Sequence, residues 1–263
     1  MLEIFENILQ HRKVIHALAL RELKSRYAGT LGGTFWMIFH PIAIITVFYF
    51  VFAVGFKATA PGNAPFILWF VTGLIVWFYF NDTLLAVTGT VMNNAHLVKK
   101  TIFPTEVLPL VQIGAGLITH LVFLGLTIAM LAFYQIPFAP GRLLVVYFML
   151  CTTVLLLGMG WLLAALQVFY RDISQSMTII MNLLFWMTPI VWAQNLIPAA
   201  YRDLLALNPV YYLVEGYRDL LIYPQPVLPT LTGTLVFWTE AGLLLLLGST
   251  VFQRLKPEFA DML

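Results

Sequence analysis

The chain has 263 residues, of which 61% are hydrophobic and only 10% charged, with a formal net charge of +2. Soluble domains carry about 25% charge and about 45–50% apolar residues, so this composition leaves too few polar groups to cover a folded monomer in water. It excludes a soluble enzyme, a disordered chain and a binder of nucleic acid by bulk charge, and it implies an all-α polytopic membrane protein.

Residues 2–27 mix apolar and charged side chains at helical spacing. Leu2, Phe5, Ile8 and Leu9 face one way and Glu3, Glu6, Gln10 and Lys13 others; Leu18, Leu20, Leu23 and Tyr27 continue beside Arg21, Lys24 and Arg26. This predicts a helix lying in the membrane interface or, with equal weight, a basic anchor that sets topology. Glu3 and Glu6 argue against a cleavable signal peptide. Gly29, Gly32 and Gly33 then break the helix, and Gly29 and Gly33 also have the spacing of close helix packing.

A bilayer core of about 30 Å needs about 20 apolar residues of helix. Six runs qualify: 33–56, 66–90, 106–134, 143–169, 174–194 and 228–251. All are too long for the staves of a membrane barrel. Spans one and two are rich in rings, including Phe48, Trp69, Phe70, Trp77, Phe78, Tyr79 and Phe80. Most are expected at the lipid or in an interfacial belt, with Trp36, Phe39 and Tyr49 turned inward.

The loop after span two predicts a short amphipathic helix over 93–103, capped by Asn93 or Asn94 and ended by Pro104. Its apolar side is Leu97, Val98, Ile102 and Phe103, its charge Lys99 and Lys100. That apolar side needs cover, from the chain's own spans or from a partner's groove. Span five carries Gln175, Thr178, Asn182, Phe185, Pro189 and Trp192 at spacings of three and four, hence on one helical face. An amide at mid-span is disfavoured in hydrocarbon and should face protein or water. Rings interleaved with amides and hydroxyls suit sugars, whose C–H faces pack on rings and whose hydroxyls bond amides; ordinary interhelical hydrogen bonding is the plainer reading.

The stretch 195–227 predicts two short helices, 198–206 and 209–222, the second opened by Asn208-Pro209. Neither is long enough to cross. Glu215, Arg218 and Asp219 share one face. They form either a solvated charged face or part of a gate in which Tyr211, Tyr212 and Leu213 plug an outer opening. With six spans, ten of the 14 Lys and Arg residues fall on the side of both termini and four (Lys57, Arg142, Arg202, Arg218) on the other, which puts both termini in the cytoplasm. Asp82, His40, His120 and Glu240 are ionisable groups in or near spans, but their spacing suggests no proton relay.

The single Cys151 permits no disulfide within the chain and no cysteine-based metal site. There is no Gly-Lys dipeptide, hence no phosphate-binding P-loop, and no GxSxG or HExxH. The sequence therefore offers no catalytic, cofactor or metal set. Any ATP hydrolysis belongs to another chain.

Three segments carry a family resemblance: LRELKSRYAGTLGGTFWMIFHP at 20–41, VFYRDI at 168–173, and MTPIVW at 187–192 followed by LNPVYYLVEGYRDLL at 207–221. Together they make the chain similar to the membrane-spanning permease subunit of ABC-type polysaccharide exporters, which handle O-antigen, teichoic acid and related lipid-linked glycans. VFYRDI favours the O-antigen-like branch. The resemblance implies a single transmembrane domain over 1–263 in a bacterial cytoplasmic (inner) membrane, paired as a homodimer around a channel, with two copies of a separate ATPase that bind ATP and Mg. It implies that the 2–27 helix admits the lipid-linked substrate. His96, Leu97, Lys99, Lys100 and Phe103 would then meet the ATPase, and Tyr211, Tyr212, Glu215 and Arg218 would belong to outer gate helices over 198–222. Trp36, Phe39, Tyr49, Gln175, Thr178, Asn182, Phe185 and Trp192 would line the channel. A capsule or teichoic acid permease, and a permease for drugs or small lipids, remain open alternatives.

Overall fold

The structure is a computed structural model that describes residues 10–33, 35–61, 64–100, 103–223 and 225–263. Residues 2–9 of the expected interface helix and Ile102 of the expected 93–103 helix lie outside these, as does the side chain of Lys100. In chain order the helices are α1 (Arg12–Tyr27), α2 (Phe35–Tyr49, continued by a π-helical turn Phe50–Gly55), α3 (Phe66–Thr88), α4 (Thr90–Asn93), α5 (Ala95–Lys100) and α6 (Val107–Phe133). After a 3₁₀ turn at Pro140–Leu144 come α7 (Val145–Phe169), α8 (Ile173–Met187), α9 (Ala199–Ala206), α10 (Pro209–Leu221), α11 (Leu231–Leu255) and α12 (Phe259–Met262). No strand occurs among the described residues. The α1–α2 break is built on Gly29 and Gly33, both at positive φ (79° and 49°), which glycine alone adopts without strain.

Among the described residues five stretches are long and apolar enough to cross a bilayer: Phe35–Gly55, Phe66–Thr88, Val107–Phe133, Pro140–Phe169 and Leu231–Met262. Span five is corrected. It ends at Met187 rather than 194, because Pro189 clashes with a helical Thr188, which turns to φ −91°, ψ 135°. At about 1.5 Å per residue, 15 residues reach about 22 Å, short of a bilayer core. Non-helical backbone at this depth is tolerated when buried in protein: Thr188, Pro189, Ile190 and Val191 are all buried, and the Asn208 amide donates to Thr188 Oγ1 at 2.8 Å.

α3 is the centre of the bundle. Of its apolar window 72% is buried, against none for α2, and it packs on α6, α7, α8 and α10. This corrects the expectation for the span-two rings. Trp69, Phe70, Trp77, Tyr79 and Phe80 are core residues, whereas the span-one rings Phe35, Trp36, Phe39, Tyr49 and Phe50 are exposed in the protomer. Hydroxyls of Thr72, Thr88, Thr127 and Thr152 in the buried spans donate to the carbonyl four residues earlier, which satisfies these four within their own helices. α7 and α11 cross most closely where Gly158 meets Gly248: a methyl group at Gly248 would fall on the Gly158 carbonyl.

Contacts sort the chain into two ends. At one end Arg26 donates to Gln112 Oε1 at 2.7 Å, Lys256 pairs with Glu106 at 2.7 Å, the Trp161 indole donates to the Glu106 carbonyl, and Phe259 packs on Phe169 and Phe252. So α1, α4, α5, the start of α6, the end of α7 and the C-terminal tail lie together. At the other end Arg142 reaches the carbonyls of Leu220 and Tyr223. Because α7 ends and α11 ends on the same side, α8 with its buried extension and the α9–α10 pair must carry the chain across between them.

Candidate functional site

A groove of about 560 Å³ opens between α2, α3 and α8. α2 contributes His40, Ala43, Ile44, Val47 and Phe48, one face of a helix by spacing. α3 contributes Trp77, Phe78 and Asn81, and α8 contributes Asn182, Phe185 and Trp186. Phe185 is the floor: its ring lies 5.8 Å from Phe48, 5.4 Å from Trp77 and 5.4 Å from Trp186. Phe48 also meets Phe70 edge-on at 6.2 Å, which fixes the lower wall against the core. The polar lining residues are His40, Asn81 and Asn182. The Asn81 amide donates to Asp82 Oδ1 at 2.8 Å and keeps its carbonyl for an outside donor; Asn182 is exposed. The surface is therefore an aromatic trough with amides along it, suited to a ligand that presents both C–H faces and hydroxyls.

Of the channel residues expected from sequence, the groove gathers Asn182 and Phe185. Gln175 and Thr178 continue the same α8 face toward the α5 end and are exposed; the Thr178 hydroxyl donates to the Ser174 carbonyl. Trp36 lies one turn before His40 on the groove face of α2, Phe39 at its edge, and the two rings are 5.6 Å apart. Tyr49, by the same spacing, is on the opposite side of α2. Trp192 is off the α8 stripe, since the helix has ended; its indole turns back to donate to the Trp186 carbonyl at 3.0 Å. Trp77, Asn81 and Trp186 were not anticipated. The spacing of Trp77 and Asn81, four apart on one face, was a usable signal.

Near the opposite end, α9 and α10 occupy almost the ranges expected. Asn208 caps α10, accepting from the Val210 amide at 3.0 Å, with Pro209 at the first helical position. The solvated-face reading of Glu215–Arg218–Asp219 is corrected for Arg218, which is 1% exposed. Its guanidinium donates to the carbonyls of Trp69 (3.1 Å), Pro189 (2.7 Å) and Ile190 (2.7 Å), pairs with Glu215 at 2.6 Å, and stacks 3.7 Å from the Trp69 ring. A buried cation demands such a full set of acceptors. Tyr211 donates to Gln194, and Tyr212 shares hydrogen bonds of 3.0 Å with Tyr147 and Thr234.

On α5, His96 and Lys99 are exposed, while Leu97, Val98 and Phe103 pack on the chain's own core around Val91, Leu108, Trp161 and Phe252. A second cleft, about 260 Å³, lies between α1 and α4–α6, with Arg21, Glu22, His96, Leu97, Phe103 and Gln112 among its walls.

The family profile described as ABC-2 type transporter matches residues 13–222. The O-antigen export system permease protein RfbA of Klebsiella pneumoniae is 24% identical over 260 residues, 92% of each chain. Its namesake in Myxococcus xanthus is 27% identical over 264 residues, 99% of each chain. The inner membrane transport permease YadH of Escherichia coli (strain K12) is 22% identical over 186 residues, 68% of this chain and 72% of that one.

Proposed function

The chain belongs to the ABC-2 type transporter family, and from that premise we propose that two copies form the passage by which a lipid-linked polysaccharide of the O-antigen kind crosses the cytoplasmic membrane. It is a multi-pass transport subunit, not an enzyme, and permeases of this family work with a separate ATPase subunit. In this reading two ATPase copies dock beneath α5, against the exposed His96 and Lys99 with Lys100, while Leu97 and Phe103 seat the segment on the chain's own core, so the end that holds both α1 and the C-terminal tail is cytoplasmic. That assignment agrees with the excess of Lys and Arg there. ATP and Mg bind only to the partner. The helix containing α1 admits the lipid anchor from the inner leaflet, and α9–α10 form the outer gate, with Tyr211, Tyr212, Glu215 and Arg218 fixing its position.

The observation that carries the proposal is the groove: rings of Phe48, Trp77, Phe185 and Trp186 with amides of Asn81 and Asn182, open on a side of the protomer where α2 buries no residue. Many similar weak contacts let a polymer slide, where one tight site would trap it. O-antigen export is what the relatives from Klebsiella and Myxococcus are named for. Trp36, Phe39, Gln175 and Thr178 extend the track toward the cytoplasmic end. Each contact is worth about 0.5–1.5 kcal/mol, so Asn182→Ala or Phe185→Ala should slow glycan export about two- to tenfold. Surface glycan measured in a complemented deletion strain checks this, alongside co-purification of the ATPase to confirm assembly. Unchanged export in both variants would sink the groove as a path.

A further inference from the structure

The charge around the groove speaks to the cargo, and rests on the groove's being the glycan path. Among its eleven described lining residues the polar ones are His40, Asn81 and Asn182, and no Lys or Arg is among them. Toward the α5 end the same α8 face carries Gln175 and Thr178, also neutral. The nearest ionic side chain on α3 is Asp82, already held by Asn81. His40 is the one lining group able to carry positive charge. Arg26, which borders the adjoining cavity with Asp82, donates to Gln112 and lies 3.8 Å from Glu22. Near the opposite end Arg218 is wholly buried among three carbonyls and Glu215, while Glu215 and Asp219 are only half-buried. A polyanion in this trough would lose hydration among rings and find no cation to replace it; an uncharged sugar needs only hydrogen-bonding partners, which the amides supply.

We propose that the transported glycan is an uncharged polysaccharide and that the α2–α3–α8 groove discriminates against polyanionic chains. The test uses the complete transporter, with its ATPase, in lipid nanodiscs. Maltoheptaose and a galacturonate oligomer of equal length are titrated, reading the tryptophan fluorescence component lost in Trp186→Phe. The neutral oligomer should bind at least about tenfold more tightly than the uronate. Asn182→Lys should narrow or reverse that ratio, and His40→Gln should leave it in place. Uronate binding as tight as maltoheptaose in the unaltered protein would overturn the proposal while leaving the groove as a path. If neither sugar perturbs the signal and a brominated acyl chain quenches it, the glycan path itself falls, and this inference with it.

Discussion

Arg218 ties three parts of the chain with one side chain: α3 through the Trp69 carbonyl, the broken end of α8 through Pro189 and Ile190, and α10, which bears it. Gly73 is the accommodating position, since a methyl group there would press on the guanidinium. Arg218→Met would strand three buried carbonyls and one carboxylate, at a cost of about 3–5 kcal/mol. Glu215, with a side chain 24% exposed, can be rehydrated, so Glu215→Gln should cost far less. Thermal unfolding of the two purified variants measures the difference; equal losses would mean that the ion pair, not the carbonyl cage, dominates.

At the scale of helices, the α7–α11 contact depends on two backbones meeting without side chains. Gly248→Leu would force them apart, costing at least the about 1–3 kcal/mol typical of overpacking. Gly242, on the same helix with nothing near its missing Cβ, is the control: Gly242→Ala should be neutral or stabilising by up to about 1 kcal/mol. Melting temperatures in one detergent would compare them, and equal effects would show that the two backbones do not meet at Gly158 and Gly248. Which helices exist was legible from hydropathy, and α10 was legible nearly to the residue, because Asn208-Pro209 states its start chemically. The end of α8 was not, although Pro189 was in view, because the apolar run continues to Trp192 and hydropathy does not register a broken backbone. Nor was the burial of Trp69, Trp77 and Phe80. Lipid tails and protein interiors are equally apolar, so a ring's chemistry does not say which it faces. For the same reason only Asn182 and Phe185 of the groove followed from a stripe on one helix, while Trp77, Asn81 and Trp186 needed the packing of three.

For the whole molecule, the question is what covers α2. Both ends of the bundle are tied by specific contacts, Lys256 to Glu106 at one and Arg142 to the end of α10 at the other. Between them α2 buries none of its residues and meets the rest mainly through Phe48 and Phe52. Ile42, Val47 and Phe50 project from it at 45%, 62% and 65% exposure, and Leu183 of α8 lies at 60%. Either lipid or a second copy completes this face. The homodimer reading requires the copy at least in part, because a groove open along one side holds no polymer away from hydrocarbon. The lone, buried Cys151 makes the choice measurable. In a Cys151→Ala background, single cysteines at Ile42, Val47 or Leu183 are introduced and oxidised in native membranes. A disulfide needs Cα atoms within about 7 Å. Facing copies should therefore give, at one or more of these positions, a covalent species of twice the 29.8 kDa chain mass. The same cysteines at Leu126 or Leu243, exposed on α6 and α11, should give none if the partner sits on the α2–α8 side. Cross-links confined to α6 and α11 would move the interface to the far side of the protomer and leave the groove open to lipid.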